Sequence, residues 1–132
     1  MSNIKMVIII RKDLKNYKGE KPRTGKIIAQ ACHSAIGFLL RNVFENTGTL
    51  TVSLTNEQLL WIKTGQTKIV LGCNNEADLL LLDYAAKLAG LTCHLITDEG
   101  RTEFNGTTNT CIAIGPNKAE EIAKITRNLS LY

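Results

Sequence analysis

Lys5–Arg11 reads KMVIIIR, an unbroken apolar run dominated by isoleucine. No polar residue interrupts it to mark a wet side, so a strand here is buried on both faces. Such a strand needs cover above and below. In a chain of 132 residues that cover comes from helices, which makes the fold α/β. The same length is enough for a sizeable core in one domain, 1–132.

The remaining elements follow in order. Lys12–Arg23 is a loop, with Gly19 and Pro22 against regular structure. Thr24–Arg41 (TGKIIAQACHSAIGFLLR) predicts a long helix running to about Asn42, with Thr24 as its N-cap. Glu45–Leu54 holds an Asn-Thr-Gly turn signal but no clear element. Thr55–Thr64 predicts a short helix: Thr55 and Gln58 match a capping box, Leu54 and Leu59 a hydrophobic staple, and Gly65 a stop. Trp61 on that helix reads as core packing, with an interface anchor as the other reading. Lys68–Gly72 is a second buried strand. Asn75–Ala89 is a helix whose packing face is expected at Ala77, Leu81, Tyr84, Ala85 and Leu88. Leu91–Thr97 and Thr110–Gly115 are two more strands. Asn117 and Glu120 form a capping signature for a last helix burying Ile122, Ile125 and Leu129. The order β-α-α-β-α-β-β-α gives a three-layer α/β/α sandwich on a four-stranded mixed β-sheet. Helical crossovers make neighbours parallel, and the short Asp98–Asn109 connection lets the last strand run back antiparallel.

Composition excludes several classes. Met6–Ile10 is too short for a signal-peptide core and is closed by Arg11 and Lys12. No run approaches a membrane span, so a soluble protein is expected. Cys32, Cys73, Cys93 and Cys111 lie far apart and read as small buried hydrophobes, which fits reduced thiols and a cytoplasmic location. Only His33 and His94 could join them, at no ligand spacing, so neither metal nor cofactor is expected.

Charge is unevenly distributed. Residues 1–41 hold nine Lys and Arg against two acids, whereas residues 42–132 hold seven against ten. Lys15, Lys18 and Lys21 belong to a basic loop leading into the first helix, which suits a phosphate backbone or is simply a cationic solvated loop.

On that helix Ile27, Ile28, Ala31, Ala35, Phe38 and Leu39 form an apolar side. Lys26, Gln30, His33, Gly37 and Arg41 fall on one polar stripe opposite, which is either ordinary wet surface or a site. Lys26 in the first turn is unfavourable beside the positive helix end, by about 0.3–1 kcal/mol. The same pairing suits an anion or a developing oxyanion. The loop Asp98–Asn109 (DEGRTEFNGTTN) adds a carboxylate at a strand end, Arg101 and three threonines, an arrangement that fits either a functional loop or a turn rich in turn-forming residues. No nucleophile elbow or Gly-rich phosphate fingerprint occurs.

GKIIAQACHSA in the first helix, W-x4-Q-x-KIVL across Trp61–Leu71 and ITDEGRT…T-x-T-x-x-AIGP across Ile96–Pro116 closely resemble the archaeal and eukaryotic type of peptidyl-tRNA hydrolase. The resemblance covers nearly the whole chain. It implies cleavage of the ester between a prematurely released peptide and the 3′-terminal ribose of tRNA, the same mixed-sheet fold, and commonly a homodimer. It carries Lys26, Asp98, Thr102 and Thr110 over as catalytic, and Gln30, His33, Arg101 and Thr108 as substrate-binding. Lys15 and Lys18 join them as contacts to tRNA, from the charge of their loop. Two departures stand out: Asn16–Thr24 is longer and more basic than the family's usual connection, and Gly106-Thr107 replaces a Pro-Gly before T-x-T. The chemistry expected is hydrolysis without metal or covalent intermediate. Asp98 would act as general base or as a partner holding Lys26, while Lys26, Thr102 and Thr110 stabilise the oxyanion. Gln30 and His33 would bind peptide or terminal adenosine. The competing readings are a non-catalytic tRNA- or RNA-binding module, a protein-interaction module, and an esterase for another aminoacyl-tRNA.

Overall fold

The computed structural model describes residues 3–132. Strand β1 (Ile4–Arg11) leads into helix α1 (Thr24–Leu40). A hairpin, β2 (Val43–Asn46) and β3 (Thr49–Val52), comes next, then α2 (Asn56–Lys63) and β4 (Lys68–Cys73). The chain closes with α3 (Glu76–Leu88), β5 (Cys93–Asp98), β6 (Thr108–Lys118) and α4 (Ala119–Thr126). The four-stranded sheet is ordered β4-β1-β6-β5. β1 pairs with β4 in parallel, and β6 runs antiparallel to both β1 and β5. The expected order of elements stands, with the hairpin added in the segment that carried only a turn signal. Its turn puts Thr47 and Gly48 at φ 50° and 80°, both left-handed, which matches the twist of a tight hairpin.

β1 is buried along almost its whole length, as an undivided apolar strand requires. One face of the sheet carries α1 and α2, where Ile27, Phe38 and Trp61 pack on Ile8, Ile10 and Ala113. The other carries α3 and α4, where Leu79, Ala86 and Ile122 pack on Val7, Ile9, Ile112 and Ile114. The capping box at Thr55 and Gln58 forms, and Trp61 is core.

Five local expectations are corrected. Thr24 is the first helical residue of α1, and the N-cap is the extended Arg23, with no side-chain cap. Burial on α1 is turned toward the polar stripe: Gln30, Ser34 and Gly37 are buried, while Ile28 is 57% exposed. On α3, Leu79 and Ala86 pack inward, and Leu81, Tyr84 and Leu88 lie outside. The abundance of leucine on α3 gives two apolar faces, and only the sheet decides between them. Asn117 lies in β6 and Lys118 caps α4 without a side-chain hydrogen bond. Of the cysteines, Cys73, Cys93 and Cys111 are buried and Cys32 is exposed.

Trp61 ties α2 to α1 and to the start of β4. Its ring meets Phe38 edge-on at 5.6 Å, and Nε1 donates to the Thr67 carbonyl at 2.8 Å. Trp61→Ala should therefore lower unfolding stability by about 3–5 kcal/mol, read as a shifted urea midpoint with unchanged slope. Trp61→Phe should be clearly milder.

Candidate active site

The N-terminus of α1 and the end of β5 meet over the sheet edge. Lys26 Nζ donates to Asp98 Oδ2 at 2.8 Å and to Thr102 Oγ1 at 3.0 Å. Both members of the ion pair are mostly shielded, with 15% of each side chain exposed. The ammonium also lies 5.3 Å from the centroid of the buried Phe104 ring, a cation–π contact. Gln30 Nε2 donates to the same Asp98 oxygen at 3.1 Å, and the backbone N–H of Gly100 donates to Oδ1 at 2.8 Å. Gly100 sits at φ 78°, and a Cβ there would run into the Gly106 carbonyl, so this turn of the loop requires glycine.

Beneath this layer Thr110 is fully buried, and its hydroxyl donates to Gln30 Oε1 at 2.6 Å. That bond fixes which end of the amide faces Asp98. The polar chain runs Thr110 to Gln30 to Asp98, with Lys26 closing it from the helix end. Burial works against the charge on Asp98, but the bonds from Lys26, Gly100 and Gln30 and the Lys26 charge outweigh it and hold the carboxyl below its ordinary value. Asp98 is thus a paired carboxylate at neutral pH.

The first turn of α1 contains no acidic residue and no local cap. A distant one supplies the carboxylate. Glu103, from the β5–β6 connection, accepts from the Arg23 backbone N–H at 3.1 Å and from Arg23 Nε at 2.7 Å. These side-chain and backbone bonds hold its carboxyl low. Tyr17 N–H donates to the Glu103 carbonyl at 2.6 Å, so the basic loop is stitched to the loop that carries Thr102.

A cleft of about 730 Å³ opens from this corner along the groove between α1 and β5. Lys26, Gln30, His33, Ile36 and Leu40 line it from the helix, and His94–Asp98 from the strand. Its floor depends on Gly37. A Cβ at Gly37 would overlap the His94 ring, so glycine lets strand and helix close there. Burial first, then the charges of Arg41 and Lys87, push the His94 imidazole below its ordinary value against the opposing pull of Asp83, which leaves it neutral.

The sequence family described as Peptidyl-tRNA hydrolase PTH2 matches residues 4–132. The chain belongs to this family. A peptidyl-tRNA hydrolase of Methanococcus maripaludis strain C7 is 38% identical over 124 residues, covering 94% of this chain and 95% of the relative. The Methanothermobacter thermautotrophicus peptidyl-tRNA hydrolase is 38% identical over 130 residues, 97% of this chain and 99% of the relative. The human peptidyl-tRNA hydrolase 2, mitochondrial, is 35% identical over 130 residues, 97% of this chain and 64% of the human protein.

For this member of the peptidyl-tRNA hydrolase family, the residues singled out from sequence divide into groups. Lys26, Gln30, His33, Asp98, Arg101 and Thr102 all line one cleft. Thr110 lies behind them, bonded to the cleft residue Gln30 at 2.6 Å and, more loosely, to the carbonyl of Ile96 at 3.5 Å. Thr108 donates to the Gly106 carbonyl and lines a separate recess with Lys15. Lys18 lies at the surface near Tyr17, away from both. Arg101 pairs with Glu99 at 2.8 Å on the exposed rim. Sequence reasoning missed Glu103, Phe104 and the apolar wall of Ile36 and Leu40. Glu103 and Phe104 sit inside the quoted loop but outside the motif; Ile36 and Leu40 flank the polar stripe on the helix and read as generic hydrophobes.

The Lys26–Asp98 pair makes stability depend on acid. Because the folded carboxyl is held low, its contribution is present above the ordinary carboxylate range and disappears as pH falls through the depressed value. Asp98→Asn should flatten the acid limb of a urea-midpoint-versus-pH curve between about pH 5 and 2. Asp13 and Glu103 are also held low, so the difference between wild type and variant isolates the Asp98 share. Superimposable acid limbs would show that the pair contributes nothing.

Proposed function

We infer that this chain hydrolyses peptidyl-tRNA, releasing the peptide and recycling the tRNA. Family membership over nearly the whole chain supports the reaction, and the observation that carries the site is the shielded Lys26 held by Asp98 at the helix end. An ammonium has three N–H donors. Two are engaged, by Asp98 and Thr102, which leaves one for the carbonyl oxygen of an ester in the cleft. Thr102 accepts from Lys26 and so keeps its own hydroxyl hydrogen for the same oxygen. Water adds to the ester carbon, the tetrahedral oxyanion faces Lys26 and Thr102, and collapse breaks the bond to the ribose oxygen, which takes up the proton that the attacking water gives up. A charge-bearing donor fixed before the reaction is the arrangement that lowers such a barrier.

In this reading Asp98 is the partner that fixes Lys26. A carboxyl held low and bonded to three donors is a weak base at neutral pH, which favours orientation over proton abstraction. Thr110 is a positioning residue acting through Gln30. The exposed lysines of the basic loop, Lys15, Lys18 and Lys21, are free of ion pairs among the described residues and are offered to the tRNA backbone.

The deciding experiment is release of N-acetyl amino acid from N-acetyl-aminoacyl-tRNA. Lys26→Ala should cut kcat by about 10²–10³ with the fold intact. A change confined to KM would recast Lys26 as a binding contact. Asp98→Asn should also lower kcat strongly, and a near-normal rate would remove it from the mechanism. Wild-type protein that binds tRNA without cleaving it would move the reading to a binding module. Separately, replacing Lys15, Lys18 and Lys21 by Gln should reduce the slope of log K against log salt for tRNA, by about 0.9 or less for each phosphate no longer neutralised. An unchanged slope would place the tRNA elsewhere.

A further inference from the structure

The cleft does not end at Lys26 and Asp98. It continues along α1 to Leu40, fourteen residues further and roughly 21 Å at the helical rise. The substrate has two arms at its ester, a tRNA end and a peptide, and the cleft beyond the ester must take one of them. Its chemistry changes along its length. Near the ester it is ionic, with Lys26, Asp98 and the rim residue Arg101; further on, the helix wall becomes Ile36 and Leu40, 47% and 63% exposed. The basic loop lies at the opposite end, ahead of the helix N-terminus, bound to Glu103. Phosphates are thus served on one side of the ester and apolar groups on the other.

The strand wall is unusual too. β5 is the outer strand of the sheet and, among the described residues, pairs only with β6. His94 to Asp98 all border the cleft, so the open edge of β5 faces into it, including residues whose side chains alternate between the two faces of the sheet. An open edge offers backbone N–H and C=O groups as a template for a further strand.

We propose that the peptide arm of the substrate binds as an added strand on the free edge of β5, in the groove walled by His33, Ile36 and Leu40. This rests on the reading that the ester sits at Lys26 and Asp98. The direction follows. The peptide's C-terminal residue is at the Asp98 end and its earlier residues lie toward His94, so the peptide runs parallel to β5. At about 3.3 Å per residue, His94 to Asp98 accommodates four or five residues. Main-chain pairing also suits the task, because backbone groups recognise peptides of any sequence while side chains need only an apolar groove.

The test compares kcat/KM for tRNAs carrying one N-acetyl amino acid with those carrying N-acetylated peptides of two to eight residues. The specificity constant should rise about tenfold or more up to four or five residues and then level off. N-methylation of alternate peptide amides should erase most of the gain in one register and little in the other. Leu40→Asp should lower the ratio of pentapeptidyl to single-residue kcat/KM; Leu40 is exposed, so folding is not at stake. A flat length dependence, or indifference to N-methylation in both registers, overturns the proposal. So does an equal drop on both substrates in Leu40→Asp, which would assign the groove to the tRNA end. No hydrolysis of any of these substrates would overturn the peptidyl-tRNA reading itself.

Discussion

A lysine in the first turn of a helix is electrostatically misplaced, and this structure is arranged to hold it there. The helix end repels the cation, and neither a local cap nor an acidic first turn offsets that repulsion. Two carboxylates more than seventy residues away, one at the end of β5 and one in the connection that follows it, do so instead. Asp98 takes the ammonium and Glu103 takes the Arg23 backbone N–H that a local cap would leave exposed. Both reach α1 because β6 folds back antiparallel between β1 and β5, which brings the β5–β6 connection over the N-terminus of α1. Sheet order, loop and helix end thus converge on one corner.

The burial of α1 follows from the same constraint. A helix that packed on its most apolar side would bury Ile28 and leave Gln30 wet. Here Gln30 is 3% exposed, because its amide must bridge Thr110 and Asp98, and Ile28 is left outside. Burying an amide is costly unless its donors and acceptor are met, and both ends of Gln30 are. A buried, satisfied chain of this kind holds its members in one geometry, which is what a preorganised site needs.

These relations explain which parts were legible in the sequence. β1 was readable because an undivided run of Ile and Val admits one environment. The capping box at Thr55 and Gln58 was readable because both partners lie within one turn. The facing of α1 and of α3 was not, because Ile28 and Gln30, or Leu79 and Leu81, compete for the core only through contacts made by distant strands. The site motif brought Lys26 and Asp98 together, yet it could not rank its threonines: Thr102 is on the cleft wall, Thr110 is behind it, and Thr108 faces another recess. Their separation comes from the register shift in β6, where Thr110 falls between the pairs Ile96–Cys111 and Thr97–Asn109, and from the path of the loop, neither of which is written in residue type.

The same geometry bears on how the proposed reaction divides its labour. Lys26 and Asp98 cannot both be strong at once in the roles first open to them. A carboxylate that holds an ammonium tightly is stabilised in its charged form and gives up basicity, while the ammonium gains a fixed direction. Oδ2 of Asp98 is engaged by Lys26 and Gln30, and Oδ1 by Gly100, so rotation of the carboxyl toward a water would break at least one of three bonds. The fixed cation is therefore the larger asset for an ester whose transition state places negative charge on oxygen. Since that charge appears on the substrate and not on the protein, nothing in the site has to reorganise as it forms.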